Sequence, residues 1–380
     1  MNLHICSDEK FINGAIELFE NYSPNSNIFI IEIPNVKYKV KYVRGSNNTI
    51  FMSLSDKSSI KKIQDFARKY GIQRVYIHNL TQIRAAIALT LYKKFSIKLY
   101  WIFYGADLYT ILSKKKEYDL YDYYIDSNKT FLYKLKKEIF NIKLFCNFGL
   151  SYTNSLKDFF LKLDYFCFWN HHDYHLFRKH FQTSAKYKYF IYYNVLNLSE
   201  VQHVKKEPLS ILINHSASVT GNHLTVIKKL ISLKGARTLK RVVTPLNYGN
   251  KSVVNAVKNL GEFSFGNKYY PILDFLPKDD YYALLNSIAV AIFGSRRQEA
   301  GGNILYLLSV GTKVFLREDN NMIQYLKEAG FIIFSFENDL NSVEDLAPLR
   351  EDQISHNQFI YHKIFNKNSE IEMMKEMLAG

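Results

Sequence analysis

Short apolar runs alternate with longer amphipathic segments along most of this chain of 380 residues. In the first half, runs with the length and side-chain content of buried strands lie at 3–6, 27–33, 74–77, 97–103 and 163–169. Segments with helical spacing separate them, among others at 59–70 and 81–93. The run at 36–43 alternates with lysine, which predicts an exposed or edge strand. Strands that alternate with helices are typical of a parallel, doubly wound sheet.

The alternation begins again in the second half, after a polar stretch at 194–208 that lacks apolar periodicity. Further strands are expected at 209–213, 240–243, 288–293, 313–316 and 331–334. A chain of this length is also too long for one typical domain. We therefore expect an α/β protein with a Rossmann-like domain at 1–195, a second one at 208–354, and helices at 355–380 that cross back to the first.

The stretch 286–318 carries a pattern that suits ligand binding. An apolar strand ends in a polar loop, and Gly301-Gly302-Asn303 then leads into a helix. Amide groups at a helix start suit phosphate, and glycines let the backbone approach it closely. The loop also holds Arg296, Arg297 and Glu299, and two arginines suit a diphosphate. An ordinary turn with a solvated charged loop explains the same spacing, so both interpretations stay open at this point.

Two further polar loops follow strands of the second domain and complete the candidate donor-binding residues. The first strand runs into Asn214, Ser216 and Ser218, at the usual phosphate-binding position of such a domain. The next strand leads to Pro245 and Tyr248, and Tyr248 suits stacking on a base or contact with phosphate. The chain has neither G-x-G-x-x-G nor G-x-x-x-x-G-K-S/T, which counts against a dinucleotide dehydrogenase and against a P-loop enzyme.

Polar residues also follow two strands of the first domain, at the carboxyl edge where open α/β sheets bind ligands. His78 directly follows one strand, and Gly105, Asp107 and Tyr109 follow another. Asp107 suits three roles that position alone does not separate: a cap of the next helix, a general base, or an acceptor for a sugar hydroxyl. The pair His171-His172 has no third ligand nearby in sequence, so we expect no metal site.

An excess of basic side chains gives a net charge of +15, which favours an anionic partner. The segment 113–144 combines Lys114, Lys115 and Lys116 with tyrosines, as is typical of docking on an anionic membrane, although a solvated lysine face explains each residue singly. With Gly105 and Tyr109, these lysines are the candidate contacts to the acceptor and the membrane. Three widely separated cysteines fit a reducing cytoplasm, and neither a signal peptide nor a membrane-spanning run is expected.

Two Rossmann-like halves with polar loops and no dinucleotide fingerprint point to a GT-B glycosyltransferase, in which two parallel-sheet domains face a cleft. Residues 101–109, WIFYGADLY, are similar to the W-x-x-W-G-A-D-L-Y pattern of a known family. Residues 211–216, ILINHS, resemble its I-L-V-G-N-S, and 241–248 and 286–318 extend the likeness. The chain thus resembles the bacterial 4-acetamido-4,6-dideoxygalactose (Fuc4NAc) transferases of enterobacterial common antigen synthesis, glycosyltransferase family 56.

The resemblance implies a GT-B fold, a dTDP-linked amino-sugar donor and a polyprenyl-diphosphate-linked disaccharide as acceptor. It implies a peripheral protein on the cytoplasmic face of the bacterial inner membrane. Because GT-B enzymes usually work without a bound metal, we expect neither a metal nor a cofactor. The chain departs from the family at His215, where the family tends to have asparagine, at Gly301-Gly302, which replaces G-x-G, and at Arg296 and Glu299. The fold is therefore expected to transfer more fully than the exact sugar and acceptor.

The expected reaction is hexosyl transfer, with the leaving diphosphate stabilised by helix amino termini and basic side chains. Retaining GT-B enzymes often carry two glutamates eight positions apart, but Leu307 stands eight positions after Glu299. An inverting enzyme needs a general base, for which Asp107 is the first choice and His78 the second. Two other classes stay open: a catalytically inactive GT-B scaffold in a polysaccharide assembly complex, and a nucleic-acid-binding protein. The latter lacks the usual binding signatures, so no nucleic-acid partner is expected.

Overall fold

A computed structural model describes residues 1–35, 37–55, 57–123, 139, 142, 145–149, 152–192 and 206–379. The chain divides into two compact units. The amino-terminal unit comprises Met1–Leu108, Asn128–Val195 and Lys367–Gly380, and the carboxyl-terminal unit comprises Tyr109–Ser127 and Leu196–Asn366. Residues 194–205 of the linker expected at 194–208 lie outside the described residues. So do residues 124–138, 140, 141, 143 and 144 of the membrane-docking segment expected at 113–144.

The amino-terminal unit is built on a parallel sheet. Its strands are β1 (Asn2–Ser7), β2 (Asn27–Glu32), β3 (Thr49–Met52), β4 (Arg74–His78), β5 (Lys98–Ile102), β6 (Tyr165–Cys167) and β7 (Lys186–Lys188). The helices of the same stretch of chain are α1 (Ile12–Tyr22), α2 (Lys57–Tyr70), α3 (Gln82–Tyr92), α4 (Ala106–Lys114), α5 (Tyr152–Lys162) and α6 (His171–His180). In the described part of the chain the seven strands are ordered β3-β2-β1-β4-β5-β6-β7, and every pair is parallel.

The strands at the centre of this sheet are buried on both faces, which explains why they read as continuous apolar runs rather than alternating ones. Ile5, Ile30 and Ile77 are completely buried, and so are the rings of Tyr100 and Trp101 on β5. Large aromatic side chains bury much apolar area each, so this aromatic sheet supplies much of the hydrophobic stabilisation of the unit.

The strand predicted at 36–43 is wrong for its described residues, which form an irregular loop. The Asp8 carboxylate accepts hydrogen bonds from the backbone N–H groups of Lys41, Tyr42 and Val43 at 2.6–3.0 Å. A side chain that takes these donors removes them from a strand ladder. The edge of the sheet is formed instead by β3, which pairs with β2 from Phe29 opposite Thr49 onward.

The carboxyl-terminal unit holds a second parallel sheet. Its strands are β8 (Glu207–Ile213), β9 (Arg241–Pro245), β10 (Tyr269–Ile272), β11 (Ile288–Phe293), β12 (Lys313–Leu316) and β13 (Phe334–Ser335). Its helices are α7 (His223–Ser232), α8 (Lys251–Phe265), α9 (Lys278–Ser287), α10 (Gly301–Ser309), α11 (Asn321–Glu328) and α12 (Glu351–Ile364). Over the described residues the strand order is β10-β9-β8-β11-β12-β13.

The chain reverses its direction across this second sheet between β8 and β11. From β8 it proceeds outward through β9 and β10, then returns to pair β11 with the other side of β8. The N–H of Asn214, just after β8, donates to the Ile292 carbonyl of β11 at 3.0 Å. Ligands of open α/β sheets bind at the carboxyl ends of strands at such a point of reversal.

The last helix, α13 (Lys367–Leu378), packs within the amino-terminal unit. Met373, Met374 and Met377 are buried, and the Tyr22 hydroxyl of α1 donates to the Glu370 carboxylate at 2.8 Å. The preceding helix, α12, belongs to the carboxyl-terminal unit and contacts α10 there. Among the described residues, no helix combines the length and apolarity that crossing a membrane requires.

Candidate functional site

Asn214 holds together the loops that follow β8 and β11. Its backbone is left-handed, with φ of 55°, a conformation that asparagine tolerates better than most residues. Its Nδ2 donates to the Gly221 carbonyl oxygen, and its Oδ1 accepts from the Gly294 N–H, both at 2.9 Å. The sequence assigns Asn214 to donor binding, but the side chain is buried and committed to these two loops.

The loop after β9 lies directly against the loop after β8. The Ala217 N–H donates to the Tyr248 carbonyl, and the Asn250 N–H donates to the Ala217 carbonyl, each at 2.9 Å. Gly249 between them has φ of 125°, and an added Cβ would collide with the Ala217 backbone, so this approach requires glycine. The half-exposed Tyr248 ring lies 6.1 Å from the His215 ring, whereas Pro245 and Ser216 are buried.

Glu299 is the centre of a polar cluster at the same edge. The Thr220 hydroxyl donates to its Oε2 at 2.7 Å, and the Arg297 guanidinium lies 3.4 Å from that oxygen. Burial acts to raise the pKa of Glu299, yet the charges of Arg297 and His215 and the hydroxyls of Ser218 and Thr220 lower it below its usual value. Glu299 is thus a carboxylate at neutral pH, beside a cation that is largely shielded from water.

The amino terminus of α10 completes the edge. Ala300, which precedes the helix, is left-handed with φ of 62° and makes no side-chain cap hydrogen bond. The amide groups of Gly301, Gly302 and Asn303 thus have no side-chain acceptor among the residues that the structure describes, and the three residues retain exposed surface. Asn303 Nδ2 donates to the Tyr281 hydroxyl at 3.3 Å. Free amides and a positive helix end form a favourable place for a phosphate group.

Arg296 is used differently from Arg297. Its guanidinium binds Asp122 at 2.6 Å and Asp319 at 2.5 Å, and Asp122 also binds Arg317 at 2.6 Å. Burial acts to raise the pKa of Asp122, but the hydrogen bonds from Arg317, Thr225 and Arg296 lower it overall. The sequence predicted that Arg296 would contact a diphosphate, whereas these carboxylates give it a structural partner set that ties residues 118–122 to the loop.

His223 at the start of α7 is a polar residue that the sequence analysis left out of the site. It is only 2% exposed, and its Nε2 has no hydrogen-bond partner among the described residues. Burial lowers the pKa of His223 to about 4, against the opposing charge of Glu299 and a hydrogen bond to the Ser216 backbone. The imidazole is therefore neutral at pH 7. The sequence signal for His223 was its position directly after Asn222, at the end of the polar loop that follows the first strand of the second domain.

In the amino-terminal unit, Asp107 is a structural acceptor. Its Oδ2 accepts from the Leu80 N–H at 3.0 Å and from Trp101 Nε1 at 2.8 Å, and its Oδ1 accepts from the Tyr104 N–H at 3.3 Å. Burial raises the pKa of Asp107, partly offset by these hydrogen bonds. Of the roles that the sequence left open, this geometry favours capping, because the carboxylate links the ends of β4 and β5 to the first turn of α4.

His78, the second choice for a base, is completely buried. Its Nε2 lies 3.0 Å from Nδ1 of His4, and its Nδ1 lies 2.7 Å from the Tyr192 hydroxyl. Burial, with the charges of neighbouring His4 and Arg84, holds the pKa of His78 well below its usual range. Both ring nitrogens have partners inside the protein, which disfavours a direct contact of His78 with a substrate.

The remaining candidates on this stretch differ in exposure. Gly105 is buried with φ of 91°, a left-handed turn that suits glycine. Tyr109 is also buried, and its hydroxyl accepts from Asn321 Nδ2 at 3.1 Å within the carboxyl-terminal unit. The side chains of Lys114, Lys115 and Lys116 are exposed, as a surface contact requires.

Glu9, just after β1, is a second residue that the sequence analysis missed. Its side chain is half-buried, and its carboxylate makes no hydrogen bond or ion pair with any residue that the structure describes. Burial raises the pKa of Glu9, with smaller effects from the charges of Lys10, Asp8 and Arg84. A carboxylate with a raised pKa at the carboxyl edge of a parallel sheet is a candidate for proton transfer.

The family described as 4-alpha-L-fucosyltransferase, glycosyl transferase group 56, matches residues 167–368 of this chain. The match covers 202 residues, from 167 to 368 inclusive, which is more than half of the chain. Every candidate donor-binding residue, from Asn214 to Asn303, lies inside the matched range. The expected resemblance to glycosyltransferase family 56 is therefore confirmed at the level of the family, although the stretch at 101–109 lies outside the matched range.

Solved structures with similar folds cover the whole chain. Sucrose-phosphate synthase from Thermosynechococcus elongatus has a TM-score of 0.67 at 9% identity, covering 100% of this chain and 98% of that one. Anabaena HepE in complex with UDP has a TM-score of 0.64 at 10% identity, with 100% of both chains covered. WaaG, a glycosyltransferase involved in lipopolysaccharide biosynthesis, has a TM-score of 0.58 at 11% identity, again with 100% of both covered. The expected GT-B fold of two Rossmann-like, parallel-sheet domains is confirmed.

The buried neutral His223 predicts a measurable pH dependence of stability. Between pH of about 6.5 and about 4, the unfolded chain protonates this histidine while the folded chain does not. His223 therefore has no effect above that window and destabilises the fold as pH falls through it, by up to about 1.4 kcal/mol per pH unit. The melting temperature of His223→Asn should fall less steeply over this window than that of the wild type. The exposed His356→Asn serves as control, and equal slopes for wild type and His223→Asn would contradict this account.

Proposed function

Because the chain belongs to the 4-alpha-L-fucosyltransferase family, glycosyl transferase group 56, we propose that it takes its sugar from a nucleoside diphosphate donor bound by the carboxyl-terminal unit. One observation carries the proposal: the polar loops after β8, β9 and β11 meet beside the uncapped amino terminus of α10. The complex of HepE with UDP, a protein of the same fold, supports a nucleotide as the ligand.

In the proposed reaction, the bond between the sugar carbon and the diphosphate oxygen breaks, and negative charge grows on the leaving diphosphate. The amides of Gly301, Gly302 and Asn303 stabilise that charge. The Arg297 guanidinium adds a positive charge, on a side chain that is only 13% exposed. Tyr248 offers an exposed ring for stacking on the base. These groups supply the charge stabilisation themselves, so we propose a reaction without a bound metal. Ser216 and Ser218 lie in the loop after β8, where the Ser216 Oγ is 3.3 Å from the His215 Nε2 and the Ser218 Oγ is 2.9 Å from the Thr220 Oγ1.

For the donor and acceptor, we propose a dTDP-linked, Fuc4NAc-like sugar and a polyprenyl-diphosphate-linked saccharide of bacterial surface polysaccharide synthesis. The resemblance of residues 101–109 to the Fuc4NAc transferases supports this choice. The fold shared with WaaG, a glycosyltransferase involved in lipopolysaccharide biosynthesis, agrees with it. The corresponding location is the cytoplasmic face of the inner membrane, with the protein bound peripherally. A net charge of +15 and the exposed lysines 114–116 favour such a surface.

For an inverting transfer, we assign the general base to Glu9 in place of Asp107 and His78. A base must contact the attacking hydroxyl, and His78 is enclosed while Asp107 is occupied by three N–H donors. Glu9 lies at the same edge of the amino-terminal sheet, retains exposed surface and has a raised pKa because of burial. It would take the proton of the acceptor hydroxyl as that oxygen attacks the sugar carbon.

The donor proposal predicts that dTDP raises the melting temperature more than UDP, GDP, CDP or ADP, with equal shifts in the presence and absence of Mg²⁺. A ligand at about 100 times its dissociation constant adds roughly 2.7 kcal/mol, which is a shift of a few degrees. A shift with UDP or GDP alone would discard the dTDP donor. The absence of a shift with all five nucleotides would favour an inactive scaffold.

The role of Arg297 is tested by Arg297→Met, which should reduce the dTDP affinity about tenfold because one charge-assisted contact to phosphate is lost. Arg241→Met is the matched control, since Arg241 also pairs with a glutamate, Glu207 at 3.2 Å, but at the opposite end of the same sheet. Equal losses of dTDP affinity in the two variants would count against the proposed donor site.

The base assignment predicts opposite behaviour for two isosteric variants. Glu9→Gln should lower kcat for transfer at least about a hundredfold and leave the melting temperature and the dTDP shift unchanged. Asp107→Asn should lower the melting temperature, because its amide group faces N–H donors, and should keep activity per folded molecule. Loss of activity in Asp107→Asn at an unchanged melting temperature would make Asp107 the base.

Membrane docking predicts that replacing Lys114, Lys115 and Lys116 by serine weakens binding to vesicles containing phosphatidylglycerol. At about 1 kcal/mol per lysine, the loss is about a hundredfold. A matched control replaces Lys61, Lys62 and Lys69 by serine. These lysines are also exposed, on α2, and the control has the same net charge as the first variant. Unchanged binding of the first variant, or an equal loss in both, would remove the proposed lysine contact.

A further inference from the structure

A chain of hydrogen-bonded side chains runs through the amino-terminal unit to its carboxyl edge. His4 on β1 has Nε2 at 3.4 Å from the Asn27 Oδ1 and Nδ1 at 3.0 Å from the His78 Nε2. The His78 Nδ1 lies 2.7 Å from the Tyr192 hydroxyl, which lies 3.0 Å from the Tyr104 hydroxyl. The proposed function uses none of these contacts.

Every titratable side chain in this hydrogen-bonded series, namely His4, His78, Tyr192 and Tyr104, is neutral near pH 7. Burial lowers the pKa of His4 to about 3 and holds the pKa of His78 well below its usual range. Burial also raises the pKa of Tyr104 and Tyr192 above the usual value of a phenol. Each imidazole thus carries one N–H and one lone pair, and each phenol carries one O–H. In a series of such groups, all the N–H and O–H bonds donate in the same direction, either towards Asn27 in the interior or towards the edge of the sheet.

Asn27 decides the direction. Its Nδ2 faces acceptors, the carbonyls of Phe19 and Ser23 and the Glu20 carboxylate, at 2.7–3.3 Å. Its Oδ1 must therefore face the His4 Nε2, and it also accepts from Asn2 Nδ2 at 2.8 Å. If the His4 Nε2 carried a lone pair, two acceptors would oppose each other in a buried site, which costs free energy. The proton of His4 is accordingly on Nε2.

The remaining protons follow from this one. With its proton on Nε2, His4 accepts at Nδ1 from the Nε2–H of His78. His78 then accepts at Nδ1 from the Tyr192 O–H, and Tyr192 accepts from the Tyr104 O–H. The Tyr104 proton is thus held inward, and its oxygen keeps lone pairs that can only accept a hydrogen bond from elsewhere.

Tyr104 lies two residues after the end of β5, at the carboxyl edge of the sheet, and keeps part of its surface exposed. Glu9 follows β1 at the same edge, and its charge is one of the smaller influences that raise the pKa of Tyr104. We propose that Tyr104 is a binding residue whose oxygen accepts a hydrogen bond from a hydroxyl or amide N–H of the acceptor saccharide. Tyr192 and His78 act through it as positioning residues. The identification of the ligand as a saccharide rests on the proposed function, whereas the direction of hydrogen-bond donation does not.

The direction is tested on the wild-type protein without any ligand. With ¹⁵N-labelled histidine, the ring nitrogens of His4 and His78 should both report the Nε2–H tautomer at pH 7, with assignments made from His4→Gln and His78→Gln. The Nδ1–H tautomer at either residue would overturn the proposal, because Tyr104 would then donate outward.

The contact is tested by steady-state kinetics with a dTDP-amino sugar and a short-chain polyprenyl-diphosphate disaccharide. Tyr104→Phe should raise the KM for the disaccharide about tenfold and leave the KM for the donor unchanged, since one hydrogen bond to the acceptor is lost. Tyr192→Phe should raise the same KM by a smaller factor, because Tyr104 keeps its oxygen and loses only its orientation. Tyr22→Phe is the control, since it removes a partly buried hydroxyl of the same unit that bonds Glu370.

The outcomes separate the two proposals. An unchanged disaccharide KM in Tyr104→Phe, or equal effects of Tyr104→Phe and Tyr22→Phe, would overturn the contact while leaving the transferase proposal in place. Absence of transfer by the wild-type protein would overturn the proposed function and the saccharide with it. The melting temperatures of the three phenylalanine variants are measured alongside. A folding defect would lower the melting temperature and impair the kinetics with both substrates, whereas a lost acceptor contact changes only the KM for the disaccharide.

Discussion

All described strand pairs in both sheets are parallel, and the location of the candidate chemistry depends on this constraint. Parallel strands all end at one edge of a sheet, so residues far apart in sequence that each follow a strand are brought together there. In the carboxyl-terminal unit this gathers the neighbourhoods of Asn214, Tyr248 and Glu299, and Asn214 joins two of the loops with its own amide group. In the amino-terminal unit it gathers Glu9, His78 and Tyr104 in the same way.

The two edges present different polar groups, and this difference supports the proposed assignment of the donor to one and the acceptor to the other. The carboxyl-terminal edge combines Arg297, the Glu299 carboxylate and the free amides of α10, a set suited to an anionic diphosphate. The amino-terminal edge holds the Glu9 carboxyl and a series of hydrogen-bonded neutral imidazoles and phenols, which suits the neutral hydroxyl of the proposed acceptor. Low dielectric surroundings strengthen both arrangements, because a fixed dipole or charge there is screened little by water.

Satisfaction of hydrogen bonds separates structural from functional candidates of the same residue type. Asp107 and Arg296 look suited to chemistry by position, yet each is surrounded by partners that use its capacity inside the protein. Glu9 has no such partners among the described residues, and the buried His223 keeps one unpartnered nitrogen. Buried polar groups are normally paired, so the exceptions are where ligand contacts are expected.

The sequence by itself determined the parallel α/β architecture, most buried strands, the GT-B class and the edge of each sheet to which the polar loops belong. It did so because apolar run length and helix spacing report burial directly. Only the tertiary structure decided that 37–43 is a loop held by Asp8, that Arg296 pairs with Asp122 and Asp319, and that His78 is enclosed. These outcomes depend on partners that are distant in sequence: the two carboxylates that bind Arg296 are 174 and 23 positions away from it. The spacing of residues along the sequence carries no information on such pairings.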